Sequence, residues 1–158
     1  MNTLLFFKPL FSRLRIAAIL SSMVLVSACA LQSAGSDAWS EDYAAVLAQA
    51  KAEGKQVLLN FTGSDWCPPC MAMERNVLNE DAFLEGVADR VLLVTLDFPR
   101  RKAQEEAIKE RNQNLAQQYG VRGFPTFVLL DAEGKEMRRT VGAMQGGPEA
   151  FLNWVNNG

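Results

Sequence analysis

The sequence contains no histidine among its 158 residues. Histidine is the usual general base of serine and cysteine hydrolases, and it is a ligand in HExxH metalloproteases and in mixed Cys/His zinc sites. Its absence therefore excludes these classes of enzyme and of metal site. A chain of this length has room for one ordinary domain and a targeting segment, but not for a second catalytic domain.

The chain also lacks an excess of positive charge, with 16 Lys and Arg residues against 18 Asp and Glu residues. Three of the basic residues, Lys8, Arg13 and Arg15, lie within residues 1–28, which contain no acidic residue. The remainder of the chain is therefore more acidic than the whole. Proteins that bind nucleic acid usually present a basic surface to the phosphates, so the composition predicts no nucleic-acid partner.

The apolar run near the N-terminus, at residues 16–26, is too short for a comfortable bilayer span, which needs about 20 apolar residues. It follows basic residues and is followed by small ones, which is the order typical of export signals. We therefore predict that residues 1–28 are a signal peptide. The alternative is an uncleaved membrane anchor that also uses the apolar residues 4–7.

The end of this segment, Leu25-Val26-Ser27-Ala28-Cys29, resembles a bacterial lipobox, in which small residues precede a cysteine that is lipidated and becomes the mature N-terminus. Val26 departs from the leucine that the motif prefers. The resemblance implies that Cys29 is lipidated and that the protein is exported to the periplasm as a membrane-anchored lipoprotein. The alternative is ordinary signal-peptidase cleavage at a nearby alanine. Residues 29–38 are small and polar, which predicts a flexible tether before a domain at residues 39–158.

Cysteine is scarce, and two of the three cysteines, Cys67 and Cys70, lie in the motif Trp66-Cys67-Pro68-Pro69-Cys70. Two cysteines separated by two residues can form and break one disulfide. Proline is accepted in the first turn of a helix, where its missing amide would have no partner, so the motif predicts a helix N-terminus. The alternative is a pair of soft-metal ligands in a copper-binding or copper-delivery module. Zinc normally requires four ligands, and no second pair is available.

The hydrophobic pattern around the motif predicts alternating helices and strands. The predicted helices lie at residues 40–53, 67–77, 102–118 and 148–156, and the predicted strands at residues 56–62, 91–97, 127–130 and 135–141. The last two strands form a hairpin. This order predicts an α/β fold with a mixed sheet of about four strands, covered by helices on both faces. We interpret Arg100, Arg101 and Lys102 as ordinary exposed charged surface in preference to a binding patch.

Three features together resemble the thioredoxin-like family: the CxxC motif at a strand-to-helix junction, the segment Val121-Arg122-Gly123-Phe124-Pro125-Thr126 before a hairpin, and the order of elements. Residues 61–67 and 96–100 are similar to an exported bacterial branch of that family. The resemblance spans residues 39–158. It implies a thioredoxin-like fold and a thiol-disulfide oxidoreductase that acts on protein thiols and disulfides. Its redox-active group would be the Cys67–Cys70 disulfide, with no other cofactor and no metal.

The resemblance also implies roles for five residues. Cys67 would be the nucleophile, because partial positive charge and unpaired amides at a helix N-terminus lower a thiol pKa, and we expect it to be exposed. Cys70, one turn further on, would resolve the mixed disulfide. Pro125 would be cis and lie against the cysteines, while the Phe124 backbone and the Trp66 side chain bind the substrate chain. The alternative is that Phe124 belongs to the core and Pro125 is a trans turn residue.

The sequence departs from the family pattern at the position of the usual buried acid, where Asn60 or Phe61 stands. Neither side chain titrates. Asp65 and Glu74 are possible substitutes that the sequence does not place, so we assign no general base.

Both residues between the cysteines are proline, which removes two amide donors near Cys67. The pair also differs from the Pro-His dipeptide of the strongly oxidising relatives, which favours a reductase or isomerase. In an oxidising compartment a reductase needs an electron donor. We expect a membrane partner in that role, because the chain has no nucleotide-binding or flavin-binding motif.

Overall fold

The structure is a computed structural model, and it describes residues 38–157. The predicted signal peptide, the lipidation candidate Cys29 and nearly all of the predicted tether lie outside the described residues. Within residues 38–157, no helix has both the length and the hydrophobicity needed to cross a membrane.

Strands and helices alternate along the described chain. The strands are β1 (Trp39–Ser40), β2 (Gln56–Thr62), β3 (Val91–Asp97), β4 (Thr126–Leu130) and β5 (Glu136–Val141). The helices are α1 (Tyr43–Glu53), α2 (Pro68–Met73), which continues as a π-helical segment (Glu74–Leu78), α3 (Asp81–Val87), α4 (Glu106–Gln118) and α5 (Gly147–Asn156). The bounds of β2 and β3 coincide with the prediction, since both are short runs of buried apolar residues.

The strands form one mixed sheet in the order β1-β3-β2-β4-β5. The first three strands are parallel, and β4 and β5 continue the sheet as an antiparallel hairpin. The predicted α/β architecture is therefore confirmed, with five strands where about four were expected. The additional strand is β1, which is only two residues long and pairs with β3 at one edge.

The predicted start of the first helix is wrong. Helix α1 begins at Tyr43 because the Asp42 carboxylate caps it, accepting a hydrogen bond from the Ala45 N–H at 3.1 Å. Trp39 fits the helical spacing of the residues that follow, but it lies in β1, and its ring stacks on Phe83 with centroids 6.4 Å apart. The predicted end of the helix is confirmed, since Gly54 closes α1 with a left-handed backbone at φ 68°.

Two hydrophobic cores lie on opposite faces of the sheet. One core packs α2, α3 and α5 against the face that carries Leu58, and the other packs α1 and α4 against the face that carries Leu59 and Phe61. Successive side chains of a strand point to opposite faces. Asn60 is therefore on the same face as Leu58, which is the face covered by α2.

The two central parallel strands end at the same edge of the sheet, where Thr62 of β2 is paired with Asp97 of β3. The chain after β2 turns directly into the CxxC motif and α2, and the chain after β3 forms an irregular segment that ends where α4 begins. Residues 63–70 and 98–102 are thus brought together by the sheet, although about 30 residues of chain separate them.

Candidate active site

Cys67 and Cys70 are joined by a disulfide bond at the start of α2. Cys67 is the N-cap residue, and its Sγ accepts a hydrogen bond from the Cys70 N–H at 3.3 Å. Pro68 and Pro69 occupy the first two helical positions and have no N–H to donate. The amide of Cys70 is therefore the first in α2 that can reach the Cys67 sulfur.

The structure places both cysteines in the interior, with exposed fractions of 3% for Cys67 and 2% for Cys70. The expectation that Cys67 is exposed is wrong for this disulfide-bonded state. The reason is geometric, because the Cys67 sulfur turns back over the first turn of α2 to reach Cys70.

The Phe124–Pro125 peptide bond is cis, so the alternative of a trans turn residue does not apply. Pro125 is buried, and its carbonyl oxygen accepts a hydrogen bond from the Gly142 N–H at 2.8 Å. Phe124 lies before β4, and within the described chain neither its N–H nor its C=O has a hydrogen-bond partner. The Phe124 ring packs edge to face on Trp66, with centroids 5.7 Å apart. The segment that contains Pro125 is thus in contact with the residue that opens the CxxC motif.

Trp66 is fixed by three neighbours from two loops. Its Nε1–H donates to the carbonyl oxygen of Phe98 at 2.7 Å. The guanidinium of Arg100 lies 3.6 Å from the centre of the indole, within the range of a cation–π contact. A Cβ atom on Gly63 would lie 2.6 Å from the indole, so only glycine fits there without displacing Trp66. These contacts give the CxxC motif a rigid aromatic neighbour.

The carboxylate of Asp65 holds the segment that follows β3. It accepts hydrogen bonds from the backbone N–H groups of Arg100 at 3.0 Å, Arg101 at 2.7 Å and Lys102 at 2.9 Å. The backbone hydrogen bonds, first that of Arg100, lower the pKa of Asp65 to about 2. Asp65 is therefore an ionised acceptor that fixes the three backbone amides of the segment after β3.

Asp97 makes a second connection between the same two loops. Its carboxylate accepts hydrogen bonds from the Ser64 N–H at 2.9 Å and from the Ser64 hydroxyl at 2.6 Å. Neither this pair nor the three amides held by Asp65 was predicted from the sequence. The signal that could have found them is the position of Ser64, Asp65 and Asp97 at the carboxyl ends of two predicted parallel strands, because such ends meet at one edge of a sheet.

Asn60 is one of the two residues of β2 at which the sequence predicted a departure from the usual buried acid. Its side chain is on the α2 face, only 6% of the residue is exposed, and its Oδ1 has no hydrogen-bond partner within the described chain. Glu74, the other possible substitute for the acid, is exposed in the π-helical segment. The amide of Asn60 is therefore a buried neutral acceptor on the same side of the sheet as Cys70.

No group of three or more His, Cys, Asp or Glu side chains within residues 38–157 is arranged to hold a metal ion. In this state Cys67 and Cys70 are bonded to each other. The copper-binding alternative therefore has no supporting observation in the described part of the chain.

Comparison with known proteins gives consistent matches. The sequence profile of a thioredoxin-like domain family matches residues 43–158. The disulfide bond reductase DsbH of Chlamydia pneumoniae is 38% identical over 117 residues, which cover 74% of this chain and 70% of that protein. The thioredoxin-related protein DsbJ of the same organism is 29% identical over 126 residues, which cover 78% of this chain but only 36% of that protein. The solved structure of a DsbH oxidoreductase superposes with a TM-score of 0.70 at 35% identity, covering 80% of this chain and 90% of that one.

Proposed function

The chain belongs to the thioredoxin-like family and is a thiol-disulfide oxidoreductase, and we propose that it works as a reductase of disulfides in other proteins. The observation that carries this proposal is the Cys67–Cys70 disulfide at the N-terminus of α2, directly after Trp66, whose ring packs on that of Phe124. The reducing direction is supported by the similarity to a protein described as a disulfide bond reductase.

The proposed reaction begins with the reduced dithiol. The Cys67 thiolate attacks one sulfur of a substrate disulfide, forming an intermolecular disulfide and releasing the other substrate sulfur, which takes up a proton. Cys70 then loses its proton and attacks the Cys67 sulfur, so that the Cys67–Cys70 disulfide forms and the second substrate thiol leaves. Two electrons and two protons pass from the enzyme to the substrate. A dithiol donor, which we propose is a membrane protein, must reduce the disulfide before the next turnover.

We propose that the substrate chain binds along Phe124. Its backbone N–H and C=O have no partner within the described chain, so they are available to pair with an extended segment of another protein. The ring of Trp66, which contacts that of Phe124, would supply apolar contact. Recognition of this kind depends mainly on the backbone, and it permits more than one substrate.

Reduction of a model protein disulfide, with dithiothreitol as donor, tests the function. We expect turnover by the wild type and none by Cys67→Ser. Pre-reduced Cys70→Ser freed of dithiothreitol should form a trapped mixed disulfide with the substrate. The matched control is Cys29→Ser, which replaces the one cysteine outside the motif and should leave the rate unchanged. A wild type that exchanges no disulfides would overturn the proposal.

The direction of catalysis is tested by the reduction potential of the Cys67–Cys70 pair, measured by equilibration with glutathione. A potential near the ~−270 mV of thioredoxin would support a reductase, and one near the ~−120 mV of strong oxidants would contradict it.

We also propose that the protein is exported to the periplasm and anchored to the membrane by a lipid on Cys29. The support is the apolar run at residues 16–26 and the lipobox-like sequence that ends at Cys29. Metabolic labelling with a fatty acid should give a signal that disappears in Cys29→Ala. An unlabelled wild type would contradict the anchor and leave ordinary signal cleavage as the explanation.

A further inference from the structure

Four basic residues lie around the aromatic side chains beside the CxxC motif, and we call them the basic rim: Arg100, Arg101, Lys102 and Arg122. All four are exposed. The first three follow β3, and Arg122 lies two residues before Phe124. The two segments meet where the Trp66 ring packs on the Phe124 ring.

The rim is held in place by the site itself. The Asp65 carboxylate binds the backbone amides of the three rim residues that follow β3, at 2.7 to 3.0 Å. The Arg100 guanidinium lies over Trp66, and Lys102 Nζ lies 3.5 Å from the hydroxyl of Ser64. The backbone that carries Arg100, Arg101 and Lys102 and the guanidinium of Arg100 are therefore fixed beside Trp66, which directly precedes Cys67.

The charge of the rim is not neutralised by ion pairs within the described chain. The three ion pairs found there are Lys55–Glu53, Lys109–Glu106 and Arg139–Glu136, and none includes a rim residue. The ionised carboxylate of Asp65, which accepts the three backbone hydrogen bonds, also attracts the charge of Lys102, so one adjacent carboxylate offsets part of the charge of the four basic residues. The chain as a whole has a formal net charge of −2, so an acidic partner is repelled by most of the molecule and attracted at the rim.

In place of the ordinary exposed surface that the sequence alone favoured, we propose that the basic rim binds acidic residues next to the disulfide of a substrate protein, so that the domain reduces disulfides in acidic segments preferentially. This inference rests on the proposed reductase function and adds a substrate class to it. A substrate chain that pairs with Phe124 passes between Arg122 on one side and the Arg100 side chain on the other. Acidic side chains a few residues from its cysteine would then lie within reach of two or more positive charges.

An anionic lipid surface has the same charge, but the geometry favours a protein segment. The rim is next to the redox-active disulfide and to the open backbone of Phe124. A membrane that covered the rim would therefore also cover the site at which substrates must enter.

Two disulfide-bonded peptides test the inference, identical except that four positions flanking the cysteines are Glu in one and Lys in the other. Pre-reduced protein is mixed with each peptide in a stopped-flow instrument, and the second-order rate constants are compared. For the wild type we expect the acidic peptide to react about tenfold faster at low salt, with the ratio falling towards one at about 0.5 M salt. In Arg101→Glu/Lys102→Glu the ratio should fall at least about fivefold.

The matched control is Lys51→Glu/Lys135→Glu, which changes the net charge equally at two exposed lysines elsewhere and should keep the wild-type ratio. A wild-type ratio near one, or an equal fall in both variants, would overturn the inference. So would binding to phosphatidylglycerol vesicles that depends on the rim while the peptide ratio stays near one.

Hydroxyethyl disulfide, which carries no charge, distinguishes failure of the rim inference from failure of the proposed reductase function. Failure to reduce this compound and both peptides would overturn the proposed function itself, whereas reduction of both peptides at equal rates would overturn the rim inference alone.

Discussion

At the scale of single residues, polar side chains around the CxxC motif hold the site together. Asp65 binds three backbone amides and Asp97 binds Ser64. Asn60 does not ionise at physiological pH, and within the described chain its buried Oδ1 has no hydrogen-bond partner. Position 60 therefore places an uncharged polar side chain, and not a carboxylate, on the α2 face of the sheet.

The lowered pKa of Asp65 predicts an acid-sensitive contribution to stability. A carboxyl whose pKa falls from 3.8 to about 2 on folding stabilises the folded state when it is ionised. This contribution is present above about pH 4 and is lost as the pH falls through 2. We expect wild type to be more stable than Asp65→Asn at pH 6 and the difference to disappear near pH 2, measured by urea unfolding. The asparagine keeps an acceptor of the same shape, so a difference that did not change with pH would contradict this assignment.

Replacing Asn60 by aspartate should make the protein less stable as the pH rises, which is the opposite of the pH dependence expected from Asp65. Burial raises the pKa of a carboxyl, so an aspartate at position 60 would have a folded-state pKa above its unfolded value. Asn60→Asp should then match the wild type most closely near pH 4 and lose about 2 to 3 kcal/mol by pH 8, as expected for a shift of about two pKa units. Urea unfolding of Asn60→Asp and of the non-ionising Asn60→Leu, at pH 4.5 and pH 8, measures this. Equal pH dependence in both variants would show that position 60 is not desolvated.

At the scale of elements, the sequence pattern predicts those helix and strand bounds that depend on residues close together in the chain. The bounds of β2 and β3 follow from apolar runs, and the start of α2 follows from two prolines that fit only a first turn. The predicted start of α1 was wrong because Trp39 fits the helical spacing of the residues that follow it. In the structure Trp39 pairs instead with a residue of β3 that is more than 50 positions away in the chain. The contact of Arg100 with Trp66 was missed for the same reason, since it depends on two loops meeting at the sheet edge.

Gly63 should be essential for the turn between β2 and the CxxC motif. A Cβ atom there would lie 2.6 Å from the Trp66 indole, so Gly63→Ala must displace the ring and break its hydrogen bond to Phe98. We expect Gly63→Ala to cost about 1 to 3 kcal/mol of stability in urea unfolding, and less when Trp66→Phe is also present. Gly123→Ala is the matched control, because its Cβ would meet only Val141 at 3.9 Å. An equal cost with and without Trp66→Phe would contradict the steric explanation.

At the scale of the whole molecule, the sheet has one core on each face. The candidate site lies at the edge of the sheet where the parallel strands β2 and β3 end. Strand β4 contributes to both cores, with Phe127 on the α2 face and Val128 on the α1 face. Because every helix packs on this shared sheet, the described residues should unfold as one cooperative unit. A substitution that destabilises the core on one face of the sheet should then lower the free energy of unfolding of both faces together.

Phe151 of α5 tests this cooperativity. It is fully buried, and its ring lies 4.7 Å from that of Phe127 and 5.4 Å from that of Phe83, measured between centroids. Phe151→Ala should cost about 3 to 5 kcal/mol, whereas Val141→Ala, at a side chain 64% exposed, should cost less than about 0.5 kcal/mol. Urea unfolding followed by far-UV and near-UV circular dichroism should give coincident transitions for both variants. Two separated transitions in Phe151→Ala would mean that the α1 face survives alone, and the sheet would then not couple the two cores.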